Sequence, residues 1–167
     1  LGNTAIYSQI AESLEFSVAD KNTLSQLLYS KEEKSIREFL DARVKKKDIK
    51  EILIKLILSF ELKEIKSDLL AVSKKYKMNL EHFIKETEDI LKYSSHFKNL
   101  DLCLDYSLIR DLDYYTGFVF HGYYDRVSYP LVTGGAYDNL FEKFSGEEKR
   151  ACGFAINIDI IEEINRR

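Results

Sequence analysis

The sequence is poor in residues that interrupt helices or form cross-links. Its 167 residues include one proline, Pro130, so the long stretch before it is free to form unbroken helices. The two cysteines, Cys103 and Cys152, fall in apolar runs, and we predict that they are reduced core residues. The three histidines are far apart and lack a closely spaced cysteine pair, so we predict no metal site.

The sequence also lacks a basic excess and long hydrophobic runs. Its net charge of −3 makes nucleic acid an unlikely partner, because nucleic-acid-binding domains usually carry a surplus of lysine and arginine. Nothing in it resembles a transmembrane span or a signal peptide, so we expect a cytoplasmic protein with no membrane partner. A chain of this length can form one domain that buries roughly 70% of its unfolded surface.

The first half has apolar residues at helical spacing, which predicts a run of helices packed around a core. The predicted helices begin near Asn3, Ser17, Ser30, Asp48, Leu62 and Asn79. Asn3 is a suitable helix cap, and Ser17 with Asp20 resembles a capping box. The basic run at residues 43–50 either contacts phosphates or forms a solvated helix end, and we favour the helix end.

The second half changes to the alternating pattern of strands, with Ser94–His96 as the connection. We predict strands at residues 102–109, 117–124, 128–133 and 151–158. Gly134 and Gly135 follow the third strand and allow the backbone to pass close to a ligand. The last strand has Gly153 and Ala155 on one face, which leaves room for a ligand there. The predicted fold class is therefore α+β, with a helical first half followed by antiparallel strands.

Residues 108–117 combine an arginine, two acids and two adjacent tyrosines in a predicted turn between strands. Arg110 offers a planar fork of donors for a carboxylate, and Tyr114 and Tyr115 offer aromatic walls with polar tips. Such a set suits a small zwitterionic ligand such as an amino acid. The alternative is an arginine–aspartate pair that braces the turn, with the tyrosines packed beside it.

Three segments in the last third resemble known motifs. The segment from Arg110 to Phe120 resembles the histidine-binding motif of histidyl-tRNA synthetases and of the synthetase-like regulatory subunits of ATP phosphoribosyltransferase. Residues 134–140 resemble the Gly-Gly-Arg-Tyr-Asp loop of that family, and residues 151–156 resemble the start of class II motif 3. The resemblance implies that the whole chain, 1–167, is the C-terminal part of one class II synthetase-like domain, mainly helical over 1–98 and with strands over 99–167.

The resemblance also implies the ligand and the residues that bind it. Arg110 corresponds to the basic residue beside the histidine carboxylate, Tyr115 to a tyrosine that contacts the imidazole, and Tyr137 to another tyrosine of that pocket. Tyr114, Gly134 and Gly135 belong to the same motifs and complete the expected histidine-binding set. Motif 2 supplies further contacts in the family, and the chain does not contain it.

Three departures from the synthetase pattern fall where ATP binds. Ile160 replaces the motif 3 arginine, Asp111 replaces the glycine after the motif arginine, and Ala136 replaces the loop arginine. Lost cations and an added carboxylate remove the charge neutralisation that phosphoryl chemistry needs. We therefore expect a histidine site without an ATP site, with no catalytic residue and no cofactor.

This pattern is expected of the regulatory subunit of short-form ATP phosphoribosyltransferase in histidine biosynthesis. Such a subunit binds histidine and joins a catalytic subunit, which it activates and to which it relays feedback by histidine at the first step of the pathway. We expect a homodimer within this hetero-oligomer. One alternative is a fragment of the catalytic domain of a histidyl-tRNA synthetase, and another is a structural paralogue that binds neither ligand. The chain begins at a leucine and lacks motifs 1 and 2, so we expect it to be part of a longer protein.

Overall fold

The structure is a computed structural model that describes residues 1–109, 115–125 and 127–166. Six helices form the first half, after a two-residue strand, β1 (Gly2–Asn3). They are α1 (Thr4–Ser13), α2 (Val18–Ser30), α3 (Glu33–Arg43), α4 (Lys47–Leu58), α5 (Leu62–Tyr76) and α6 (Leu80–Ser94). The second half contains β2 (Phe118–Gly122), β3 (Val132–Ala136), α7 (Asp138–Ser145), β4 (Cys152–Ile156) and α8 (Ile158–Arg166). The predicted α+β class is confirmed.

Local capping explains where the first two helices begin. The Asn3 carboxamide oxygen accepts a hydrogen bond from the Ala5 amide, and the Ser17 hydroxyl accepts one from the Asp20 amide. Each bond satisfies an amide that the first turn of a helix leaves unpaired. The predicted caps at Asn3 and Ser17 are therefore confirmed.

Two other predicted helix starts were wrong by a few residues. Ser30 ends α2, and its hydroxyl donates to the Leu27 carbonyl rather than capping α3. Asp48 lies inside the first turn of α4, where it accepts hydrogen bonds from Lys75 and Tyr76 of α5. The predicted start near Ser30 is therefore three residues before α3 begins, and the one near Asp48 is one residue after α4 begins.

The helices pack around an apolar core, as the helical spacing predicts. The bulkiest fully buried side chains are Ile6, Ile10, Leu24, Ile36, Leu40, Ile49, Ile52, Leu53, Ile65, Leu69, Leu80 and Ile109. The basic run is mostly paired: Arg43 contacts Asp20, Lys50 contacts Asp41, and Lys46 donates to the Ser13 carbonyl. These contacts are those of helix ends that face solvent. No helix in the described ranges is long and apolar enough to cross a bilayer.

Residues 101–109 do not form the predicted strand. They run irregularly along the helices and insert Leu104, Tyr106 and Ile109 into the helical core. An Asx turn bends the chain, because the Asp105 carboxylate accepts hydrogen bonds from the amide and the hydroxyl of Ser107. Burial opposes ionisation of Asp105, yet hydrogen bonds from Lys31 and Ser107 hold its pKa below the usual value. The apolar alternation therefore reflects packing on helices rather than a β-ladder.

The four strands form one antiparallel sheet in the order β1-β2-β3-β4. The predicted second and last strands are confirmed as β2 and β4. The third strand begins later than predicted, so Gly134 and Gly135 lie within β3 instead of after it. Pro130 cannot donate to a ladder, and pairing starts where Leu131 donates to the Gly122 carbonyl.

The cysteines are free, as predicted, but neither is a core residue. Cys103 lies in the irregular segment and is exposed, and Cys152 begins β4 on an exposed face. The same face of β4 carries Phe154 and Ile156, which are 69% and 50% exposed. Apolar sequence around each cysteine was a poor guide, because Leu104 rather than Cys103 enters the core and Cys152 lies on an exposed face of β4.

Candidate ligand-binding site

The sheet brings two glycines and two tyrosines together on one face. Gly135 of β3 and Gly153 of β4 are directly opposed in the ladder, so their missing side chains share a face. A Cβ added to Gly135 would lie 2.7 Å from Cδ1 of Tyr115. A Cβ added to Gly153 would lie 2.6 Å from the Tyr137 hydroxyl oxygen. Both tyrosine side chains therefore lie against bare backbone, and we call this set the tyrosine–glycine face.

Gly134 belongs to the opposite face of the sheet. A Cβ there would lie 2.8 Å from Cζ of Phe120 and 2.8 Å from Cβ of Phe154. These aromatic residues occupy the register positions paired with Gly134 on either side. Gly134 thus permits close packing of three strands, and the structure does not bring it together with the two tyrosines.

Two members of the expected histidine-binding set, Arg110 and Tyr114, lie outside the described residues, as does Asp111. The chain leading to them is anchored, because Ile109 is fully buried and its carbonyl accepts a hydrogen bond from the Ser25 hydroxyl. Of the six expected residues, the structure brings together Tyr115, Gly135 and Tyr137.

The segment that carries Tyr115 is held from two directions. The Thr4 hydroxyl lies 3.0 Å from the carbonyl oxygens of both Tyr115 and Gly117, and the Thr4 amide donates to the Gly117 carbonyl at 2.9 Å. On the other side, the Thr116 amide donates to the Ala136 carbonyl at 2.8 Å. The backbone beside Tyr115 is therefore fixed to α1 and to the end of β3.

Tyr137 is held by a second set of bonds. Its amide donates to the Ala151 carbonyl at 2.8 Å, and the Ala151 amide donates to Oδ1 of Asp138 at 2.7 Å. The Asp138 amide donates to the Thr116 hydroxyl at 2.9 Å, which links this set to the Tyr115 segment. Thr116 and Asp138 are therefore bracing residues that lie within the recognised motifs but had no predicted role.

A carboxylate from the helical half also approaches this region. Oε2 of Glu86, on α6, is 3.9 Å from the position that a Cβ on Gly117 would take. The Cβ of Ala136 is 3.4 Å from the same position. No sequence pattern pointed to Glu86, because helical periodicity places a residue on a helix face but does not say which distant segment that face contacts.

The residue at the position of the motif 3 arginine is buried in this chain. Ile160 lies on α8 and is 6% exposed, so its side chain is a buried apolar group. The preceding Asn157 accepts a hydrogen bond at its Oδ1 from the Ile160 amide, as expected at the start of a helix. Neither Ile160 nor Ala136 supplies a cation for a phosphate group.

Comparison with known proteins decides the family. A family model described as histidyl-tRNA synthetase matches residues 1–161. The chain belongs to the histidyl-tRNA synthetase family. Membership confirms the resemblance drawn from the three motifs and extends it over the helical first half, where the motifs offered no evidence.

One similar relative is the ATP phosphoribosyltransferase regulatory subunit of Leptospira interrogans. It is 37% identical over 165 residues, which are 97% of this chain and 48% of the relative. The regulatory subunit from Caldanaerobacter subterraneus is 30% identical over 95% of this chain and 41% of the relative. The chain thus spans less than half the length of these relatives.

Solved structures share the fold. An ATP phosphoribosyltransferase regulatory subunit/histidyl-tRNA synthetase from Bacillus halodurans superposes with a TM-score of 0.75 at 24% identity, over 97% of this chain and 42% of that one. A chain of the ATP phosphoribosyl transferase (HisG:HisZ) complex from Thermotoga maritima gives 0.57 at 20% identity, over 93% and 51%. The predicted class II synthetase-like fold is confirmed.

Proposed function

We propose that the protein is the regulatory subunit of ATP phosphoribosyltransferase and binds histidine on the tyrosine–glycine face. The observation that carries the proposal is the contrast between the amino-acid part of the site and the part where a synthetase binds the ATP phosphates. Tyr115 and Tyr137 lie together over bare backbone, whereas the motif 3 arginine position holds the buried Ile160. An amino-acid site without phosphate-binding cations suits a sensor of histidine rather than an enzyme that adenylates it. The names of the similar relatives support the same role.

The chemistry of the face suits a small aromatic zwitterion. Tyrosine hydroxyls both donate and accept hydrogen bonds, so they can satisfy either nitrogen of a neutral imidazole. Gly135 and Gly153 carry no side chain that would keep the rings of Tyr115 and Tyr137 from the sheet. Arg110, which precedes this region in sequence, is the residue that we propose for the histidine carboxylate, in line with the family motif.

The name of a structural neighbour supports the proposed partner. A structural neighbour is part of a complex of ATP phosphoribosyl transferase named HisG:HisZ, and we propose a catalytic subunit as partner for this protein too. We further propose a homodimer within that hetero-oligomer, a cytoplasmic location and no metal or cofactor. In this proposal, residues 1–167 are the C-terminal part of one class II synthetase-like domain, divided into a helical part at 1–98 and a strand-bearing part at 99–167.

A second candidate function is aminoacylation of tRNA, because the matching family model is described as histidyl-tRNA synthetase. The two functions differ in whether the protein needs ATP phosphates at its own site. The region equivalent to motif 2 in the full-length protein discriminates between them, since an arginine there would favour the synthetase.

The first prediction concerns the partner. Added to a short-form ATP phosphoribosyltransferase catalytic subunit, the full-length protein is expected to co-purify with it and raise its turnover. Turnover is measured as phosphoribosyl-ATP formation at increasing amounts of the full-length protein. A synthetase that charges tRNA serves as the control and is expected to give no activation. Unchanged turnover at saturation would contradict the regulatory role.

The second prediction concerns the ligand. Tyr115→Phe in the full-length protein is expected to weaken histidine binding about fivefold to a hundredfold, because a hydroxyl bond to a polar or charged group contributes about 1–3 kcal/mol. Calorimetry measures the change. Tyr124→Phe is the control, since Tyr124 lies after β2 and is 52% exposed. If both variants bind histidine like the parent, Tyr115 is a packing residue and the site is wrongly placed.

A further inference from the structure

Thr4 connects the first helix to the tyrosine–glycine face. It is the first residue of α1 and is fully buried. Its hydroxyl reaches the carbonyls of Tyr115 and Gly117, although Thr4 and Tyr115 are 111 residues apart in sequence. This buried hydroxyl contacts two carbonyls in the segment of a candidate ligand-binding residue. Its position therefore suggests that it supports that segment as well as the helix.

The helix itself does not need this hydroxyl. Asn3 already caps α1, since its carboxamide oxygen accepts a hydrogen bond from the Ala5 amide. The Thr4 hydroxyl donates outward, to a different segment of the chain. Thr4 is the first residue of α1, so no preceding helical turn offers its hydroxyl a carbonyl of the kind that Thr87 bonds at Phe83. The bonds made by Thr4 therefore serve the segment that contains Tyr115.

Thr4 contacts the two carbonyls through different groups. Gly117 accepts a hydrogen bond from the Thr4 amide at 2.9 Å as well as one from the hydroxyl. The Tyr115 carbonyl accepts from the Thr4 hydroxyl at 3.0 Å, and this bond is lost when the hydroxyl is removed. Because the Tyr115 ring lies against Gly135, a shift of the Tyr115 backbone moves that ring across the sheet.

We propose that Thr4 is a positioning residue for ligand binding, which holds the Tyr115 backbone so that its ring lies over Gly135. The inference rests on the proposed histidine site, but its central claim concerns the position of the ring and is testable without ligand. Through Thr4, the N-terminal end of α1 is hydrogen-bonded to the segment that carries Tyr115.

The test compares variants of Thr4 and Thr87 in the full-length protein with the parent and with Tyr115→Leu. Thr4→Val keeps the size and branching of the side chain and removes the hydroxyl, whereas Thr4→Ser keeps the hydroxyl. Thr87→Val is the matched control, because Thr87 is also a buried helical threonine, and its hydroxyl bonds the Phe83 carbonyl and interacts with Tyr106 rather than with the Tyr115 segment. Thr4→Ala replaces Thr4→Val should the valine variant fail to fold.

Two readouts are compared across these variants. In calorimetry, we expect Thr4→Val to bind histidine about fivefold to thirtyfold more weakly than the parent, because it loses one hydrogen bond of about 1–2 kcal/mol. We expect the affinity of Thr4→Ser to lie within about twofold of the parent's. Without ligand, the NMR shifts of the Gly135 Hα protons report the ring current of Tyr115. We expect Thr4→Val to move them towards their values in Tyr115→Leu, and Thr87→Val to leave them in place.

The outcomes separate this inference from the proposed function. If the parent protein does not bind histidine but the Gly135 shifts move in Thr4→Val alone, the positioning role stands and the histidine site fails. If the parent binds histidine and Thr4→Val binds equally well with unchanged Gly135 shifts, the positioning role is overturned. Equal effects of Thr4→Val and Thr87→Val on both readouts would also overturn it, because they would reflect general destabilisation.

Discussion

Gly135→Ala is expected to weaken histidine binding by roughly thirtyfold or more in the full-length protein. This fold-change corresponds to an overpacking strain of about 2–3 kcal/mol at the site. The added methyl group would lie 2.7 Å from Cδ1 of Tyr115 and 2.5 Å from the Phe118 carbonyl oxygen. Because no real Cβ is tolerated at such distances, the Tyr115 ring and the β2–β3 pairing must both shift. Calorimetry measures the affinity, and urea denaturation measures the accompanying loss of stability.

Two other glycine variants separate ring displacement from general strain. In Gly153→Ala the three atoms nearest to the new methyl group would all belong to the Tyr137 side chain, with its hydroxyl oxygen at 2.6 Å. We expect this variant to lose affinity with little loss of stability. In Gly146→Ala the methyl group meets nothing within 4 Å, but the positive φ of 70° strains the backbone. Affinity that is unchanged in both Gly135→Ala and Gly153→Ala would show that histidine binds elsewhere.

Ile160→Arg is expected to destabilise the protein and to leave it unable to form histidyl-adenylate. Ile160 is 6% exposed, so an arginine there becomes a buried, uncompensated charge that costs on the order of 3 kcal/mol or more. Urea denaturation measures this loss. Histidine-dependent exchange of pyrophosphate into ATP is expected to be absent in the parent and in the variant, because Ala136 supplies no second cation.

Ile160→Met is the matched control for this substitution. Methionine has a volume close to that of isoleucine and carries no charge, so we expect a loss of less than about 1.5 kcal/mol. A parent protein that catalyses pyrophosphate exchange at the rate of an ordinary synthetase would overturn the regulatory assignment. An Ile160→Arg variant that is as stable as Ile160→Met would show that the side chain reaches solvent.

Sequence reasoning succeeded where a structure depends on residues close together in the chain. The caps at Asn3 and Ser17 form with amides two and three residues away, and the helical stripes supply most of the buried core. Residues 102–109 misled the strand prediction, because a chain segment packed on helices can alternate in the same way as a strand. The Asx turn at Asp105 breaks the extended geometry in a manner that alternation does not reveal.

For the candidate site, too, the sequence predicted local features but not contacts between distant segments. The sequence alone determined the family resemblance, the pair of tyrosines and the absence of cations at residues 136 and 160. Only the tertiary structure decided that Gly135 faces the tyrosines while Gly134 faces Phe120 and Phe154, since this depends on where β3 begins. The contact of Thr4 with Tyr115 was likewise out of reach, because no local pattern specifies a hydrogen bond between residues so far apart in sequence. Such contacts exist only once the helices and the sheet have packed against each other.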